Sequence, residues 1–205
     1  MATGVKRERA RATRRKIVAA ATDLFVAQGY AATKLEDVAA RAGVAVQTVY
    51  FHFTNKRTLL KEAVDVASVG DDEPVPLLAR PFMDEIRTEP DANQAVARWV
   101  AAGRTILVRI APIMTAVRDA AGGDEAMAEQ WRVNQDQRAT AHRMFAKLLA
   151  DKGALKPELT VDRATDILLA LNSPELFLLL TVERGWPSAE WESWITAMVA
   201  DAVLG

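Results

Sequence analysis

Apolar residues in the stretch "RRKIVAAATDLFVAQG" fall at Ile17, Ala20, Ala21, Leu24 and Phe25, spacings of three and four that predict a helix with one buried face. Gly29 stands where a left-handed C-terminal cap would close that helix. A second run, Leu35, Val38, Ala39 and Ala42, predicts a helix of about two turns that ends at Gly43. Thr33, with Glu36 three residues on, has the spacing in which a hydroxyl and a carboxylate satisfy the free backbone donors of a helix start. Only Val44 and Ala45 separate Gly43 from a third run, Val46, Val49, Tyr50 and Phe53. Two short helices joined this tightly predict a helix-turn-helix, whose steep crossing needs a small residue where the backbones approach. Ala39 fills that need, with Gly43 in the turn and Val49 facing the core.

Another helix is expected from Asn55 and Lys56 through Leu59, Leu60, Ala63, Val64 and Ala67. The segment "SVGDDEPVP" then marks the best candidate break. Beyond it the periodicity predicts helices at about 76–88, 92–109, 111–121, 124–152, 161–172, 174–184 and 188–204. Pro90, Pro112, Gly122, Gly123, Gly153, Pro157, Pro174 and Pro187 punctuate them. No alternating strand pattern is present, so the expected fold class is all-α. A helix-turn-helix domain with its basic tail is expected over residues 1–56, and a larger helical domain over 57–205.

Composition narrows the function. Half of the 205 residues are apolar, enough for a substantial core. The absence of cysteine removes disulfides, thiolate nucleophiles and sulfur metal sites, and fits a reducing cytoplasm. The longest apolar run, "ILLALNSPELFLLLTV", is broken at Asn172, Ser173, Pro174 and Glu175, short of the roughly 20 apolar residues of a spanning helix. The apolar run behind the basic N-terminus carries Asp23 and no small-residue cleavage pattern. A soluble cytoplasmic protein without a membrane partner is therefore expected.

The formal net charge of -1 conceals a division. Residues 1–60 hold 11 Lys or Arg against 4 Asp or Glu, net +7, and the remainder holds 15 against 23, net -8. A compact positive end on an acidic molecule suits a polyanion bound at that end. A merely solvated basic tail is the competing reading of "VKRERARATRRK".

Within residues 13–64 the pieces Ala21, Leu24 and Phe25, Gly29 and Tyr30, Thr33, Val38 and Ala39, Ala42, Gly43 and Val44, Tyr50, His52 and Phe53, and Lys56 with Leu59 and Leu60 stand together. This stretch resembles the DNA-binding domain of TetR-type transcriptional regulators over its whole length. "SPELFLLLTVERGW" is similar to one subgroup of the same family. The resemblance implies a double-stranded DNA operator as partner, a homodimer, and a small-molecule effector bound in the second domain, with repression the usual outcome.

The residues of the third helix support that implication through their chemistry. A recognition helix presents its first turn to base edges, here Val46, Gln47 and Thr48. Gln47 can read adenine through its amide, Val46 can pack on a thymine methyl, and Thr48 can meet a base or a phosphate. Tyr50, His52, Lys56 and Thr33 are the expected backbone contacts, and Phe53 the inward anchor. Phe51 has no assigned role. Ala45 stands at the cap position where the family usually has Ser or Thr, so a side-chain cap worth roughly 1 kcal/mol is missing.

One such module reads too little sequence alone, so dimerisation is expected elsewhere. Leu176, Phe177, Leu180, Trp191, Trp194 and Met198 are the candidate interface, against the alternative of an intramolecular core. Phe82, Met83, Ile86, Trp99, Met114, Trp131, Asn134 and Phe145 are the candidate ligand pocket, again against an ordinary core. His142 reads as a hydrogen-bonded helix residue. A ligand there would move the helix at 56–67 and change the separation of paired recognition helices.

An enzyme is disfavoured: with no cysteine and two histidines in different domains, neither a metal cluster containing histidine nor a nucleophile triad can be assembled from neighbours. Asp71 and Asp72 read as solvated linker acids. No catalytic residue, metal or cofactor is expected. The alternatives are an architectural protein binding DNA without sequence preference, and a ligand-responsive activator. The tail with Lys6, Arg7, Arg9 and Arg11 reads as a loose segment in preference to a minor-groove arm.

Overall fold

A computed structural model describes residues 2–70 and 75–205. Asp71 and Asp72, and the centre of the expected break, lie outside the described residues. The helices in order are α1 (Ala2–Ala32), α2 (Leu35–Ala42), α3 (Val46–His52), α4 (Lys56–Val69), α5 (Pro81–Thr88), α6 (Ala92–Ala121), α7 (Glu125–Asp151), α8 (Val161–Leu171), α9 (Pro174–Leu178) and α10 (Ser188–Val203). A 3-10 turn at Leu77–Ala79 precedes α5, and a π-helical turn at Leu179–Glu183 follows α9. Among the described residues the only β pairing is one isolated bridge between Leu155 and Leu204, so the fold is all-α as its periodicity requires.

The chain divides into two compact units, Met1–Asp72 with Pro112–Trp131, and Glu73–Ala111 with Arg132–Gly205. In the first, α1 packs on α2 and α4, and α2 on α3. Ile17, Ala21, Phe25, Val38, Ala39, Val49, Phe53, Leu59, Leu60 and Val64 are buried, the positions selected by helical spacing. Met114 and Trp131, two of the expected pocket residues, belong to this unit, Met114 buried and Trp131 half-buried.

In the second unit a continuous core gathers Met83, Ile86, Trp99, Val100, Phe145, Leu149, Leu168, Phe177, Trp191, Ile195 and Val199. The expected pocket residues Met83, Ile86 and Phe145 are core side chains, Phe82 packs against them, and Asn134 is buried. Trp191 and Phe177, expected at a dimer surface, are a correction. Their rings meet edge-on at 5.0 Å and Trp191 is fully buried within its own chain. Leu176, Leu180 and Trp194 stay half-buried, and Met198 is exposed.

Three local expectations change. Pro112 does not end a helix: α6 runs through it, because buried Ala111 and Ile113 on either side hold the chain helical despite the lost hydrogen bond. The helix expected at 174–184 changes pitch at Leu179, which leaves Leu179 and Val182 exposed. The basic tail is no loose segment, since its backbone is helical from Ala2 and continuous with α1. By length and composition Ala92–Ala121 and Val161–Glu183 could cross a membrane. The first instead supplies Ala95, Val96, Val100 and Leu107 to the core, and the second is divided at Asn172 and Ser173 by the cap of α9.

Candidate nucleic-acid interface

The end of α1 fixes where α2 begins. Its helical course breaks at Gly29, whose φ of +78° and ψ of 173° suit a residue without a side chain. Thr33 is fully buried, and its hydroxyl donates to the Gly29 carbonyl at 2.8 Å. The capping box expected with Glu36 does not form: Lys34 is the N-cap of α2 and no side chain caps it. Thr33 is thereby withdrawn as a DNA contact, because its hydroxyl is turned inward and engaged.

Lys56 closes the same corner. Its ammonium donates to the carbonyls of Tyr30 at 2.7 Å, Thr33 at 2.9 Å and Ala31 at 3.3 Å, and lies 4.3 Å from the Tyr30 ring centroid. An ammonium has three protons, and three carbonyls occupy them. The expected phosphate contact is replaced by a structural tie between the start of α4 and the end of α1. Burial pushes the Lys56 pKa down, partly offset by Asp124.

The turn between α2 and α3 follows its sequence. Gly43 adopts the left-handed conformation, φ 67° and ψ 38°, and the amides of Gly43 and Val44 return to Ala40 and Ala39 at 3.2 and 3.0 Å. Ala39 and Val49 are buried at the crossing. Ala45 is the N-cap of α3, without a side-chain cap. This leaves the first backbone donors of α3 without a competing side-chain acceptor.

On α3, Val49 is buried, Gln47 is exposed, and Val46 and Thr48 are half-buried. Tyr50 is 51% exposed and Phe51 83%, whereas Phe53 is buried at 1%. One face therefore anchors the helix and the other offers an amide, a phenol and an aromatic ring to solvent. His52 is half-buried; burial first, then the Arg14 charge, lowers its pKa, so its ring is neutral at physiological pH.

Arg14 was absent from the sequence-based site and organises it. Its guanidinium donates to the His52 carbonyl at 3.2 Å and to Glu62 at 2.9 Å, and lies 4.4 Å from the Phe53 ring centroid. The C-terminal end of α3 is thus held between α1 and α4. The signal available in sequence was the helical spacing from Arg14 to the buried Ile17 and Ala21. Its partners, 38 and 48 residues away, were not legible.

A short helix crossing a second at a glycine turn, anchored on one side and polar on the other at the basic end of the chain, defines a helix-turn-helix DNA-binding protein. Residues 17–63 match the family model described as "Bacterial regulatory proteins, tetR family", which places that stretch among TetR-type DNA-binding domains. The chain is 26% identical to the uncharacterized HTH-type regulator YdeS of Bacillus subtilis over 176 residues, 86% of this chain and 82% of YdeS. It is 37% identical to the HTH-type regulator TtgR of Pseudomonas putida over 84 residues, 41% of this chain and 38% of TtgR. In fold it resembles NalD of Pseudomonas aeruginosa, the secondary repressor of the MexAB-OprM multidrug efflux pump, with a TM-score of 0.68 at 20% identity over 95% of this chain and 98% of NalD. These relatives are transcriptional regulators and not enzymes, in line with the expectation for this chain.

Proposed function

We propose that the protein is a homodimeric repressor that binds a two-fold symmetric operator and leaves it when a small, largely apolar effector occupies the second unit. The observation that carries the reading is the orientation of α3, with Val49 and Phe53 inward and Gln47 and Tyr50 outward. Gln47 reads a base, with Val46 and Thr48 beside it in the first turn. Tyr50 donates to a phosphate, and the half-buried His52 contributes as a neutral hydrogen-bonding ring.

Dimerisation has support of its own. Leu179, Val182 and Met198 are exposed, with Leu176, Leu180 and Trp194 half-buried alongside, on the contiguous α9, π turn and α10. A patch of this kind suits a self-complementary interface. Repression and release by a ligand are properties that fit the relatives' class.

Selection of bound sites from random duplex DNA at near-physiological salt tests the reading, with the double variant Gln47→Ala, Tyr50→Ala alongside. Enrichment of a two-fold symmetric site by the parent and not by the variant is expected. Weak, salt-sensitive binding without enrichment would transfer the protein to the architectural class.

A further inference from the structure

Near the middle of α6 stands Gly103, a residue that a helix interior disfavours. Apart from the backbone of its own helix, a Cβ added there would have one atom within 4 Å, the Asn172 side-chain oxygen at 3.7 Å. Asn172 is 5% exposed, and its Nδ2 donates to the Leu168 carbonyl at 3.1 Å, which orients the amide. Its Oδ1 is buried with no hydrogen-bond partner among the described residues. A buried acceptor left unpaired is costly, and each such case calls for an explanation.

Trp99 lies one turn before Gly103, on the same face of α6. Its ring stacks on Phe145 at 4.5 Å, and the His142 ring stands edge-on to it at 5.5 Å. His142 is also buried, and its Nδ1 has no partner among the described residues. The Cβ position of Gly103 therefore borders an unpaired acceptor, with a second unpaired polar atom and aromatic surface one turn away.

We propose that Gly103, Asn172, Trp99 and His142 form a ligand subsite of the second unit for a compact, uncharged aromatic molecule that donates a hydrogen bond to Asn172. The inference rests on the effector reading above and names the ligand chemistry. An amide oxygen can only accept, so the ligand must bring an O–H or N–H. Burial, and then the Arg138 charge, push the His142 pKa down to about 3, so its ring is neutral and offers one further hydrogen bond. Arg138, bonded to Gln135 at 2.6 Å, keeps a positive charge near His142 that opposes a cationic ligand.

Phenol is the probe, titrated calorimetrically into the full chain without DNA. Anisole carries the same ring with the hydroxyl methylated, and benzylammonium carries a cationic donor. Saturable phenol binding is expected, at least tenfold weaker for anisole and for benzylammonium. Gly103→Leu sets a large side chain against Asn172 and should weaken phenol at least tenfold; Gly103→Ala, which suits a helix, is the folded control for a smaller loss. Equal binding of phenol and anisole, or phenol binding indifferent to Gly103→Leu, overturns the subsite. So does a folded parent that binds no phenol.

Operator affinity measured in parallel separates the two readings. Phenol bound with operator affinity unchanged keeps the subsite and removes its role as effector site. Normal operator binding without phenol binding removes the subsite alone.

Discussion

Arg57 Nε donates to Asp124 Oδ2 at 2.8 Å, joining the first turn of α4 to the residue that begins α7. Asp124 also accepts from the amides of Ala126 and Met127 at 3.0 and 3.3 Å, so one carboxylate caps α7 and holds α4. Arg57 adjoins Lys56, which ties down the end of α1. The hydrogen bond from Arg57, with the two amides adding to it, holds the Asp124 carboxyl below the usual range.

Asp124→Ala should lower the melting temperature at pH 7, and Asp124→Asn should lower it less, because asparagine keeps the cap and loses the charge. A depressed carboxylate stabilises the fold above its unfolded pKa of about 3.9 and ceases to do so as pH falls through the lower folded value. The gap between parent and Asp124→Asn should accordingly close below about pH 4. A gap independent of pH would refute the ion-pair account.

Lys56→Gln separates a structural lysine from a phosphate contact. Three carbonyls lose a charged donor, and about 1–3 kcal/mol of stability should go with it in DNA-free protein, read by urea denaturation. A stable variant with a shallower salt dependence of operator binding would restore the phosphate role.

Arg7, Arg11 and Arg14 recur on one face of α1, and Arg14 holds the end of α3 at the His52 carbonyl. Arg7 and Arg11 are exposed, and on the proposed operator-binding reading they meet phosphates that flank the half-site. The double change Arg7→Gln, Arg11→Gln should reduce the magnitude of the log–log salt slope by about 2 per bound protomer without altering the selected sequence. An unchanged slope assigns both to solvent.

Val182 is 69% exposed beside Leu179 at 43%. Val182→Glu should shift the protein toward monomer in sedimentation experiments while leaving its melting cooperative, since no core contact is lost. A dimer of undiminished affinity would place the interface elsewhere.

His142 provides the second pH dependence. Its folded pKa of about 3 lies below the unfolded value near 6.5, so the unfolded chain binds the proton first. Stability is complete above about pH 6.5 and falls as pH drops below it, with a slope approaching about 1.4 kcal/mol per unit. His142→Phe should flatten denaturation midpoints between pH 7.5 and 5. Equal slopes in parent and variant would show that the imidazole charges without cost.

Periodicity and turn chemistry alone determined the helix-turn-helix, because its spacing, its Gly43 turn and its Ala39 crossing are local. They equally determined Val49 inward and Gln47 outward, since a helix allots faces by residue number. What a polar group meets on its face depends on residues far along the chain, and there tertiary structure decided. Lys56 and Thr33 read as DNA contacts until the carbonyls at the end of α1 claimed the ammonium and the hydroxyl turned to Gly29. Trp191 read as interface until Phe177 covered it, and Pro112 read as a stop until buried neighbours carried α6 through. Gly103 carried no signal without Asn172 opposite, 69 positions later in the sequence, a juxtaposition that only folding makes.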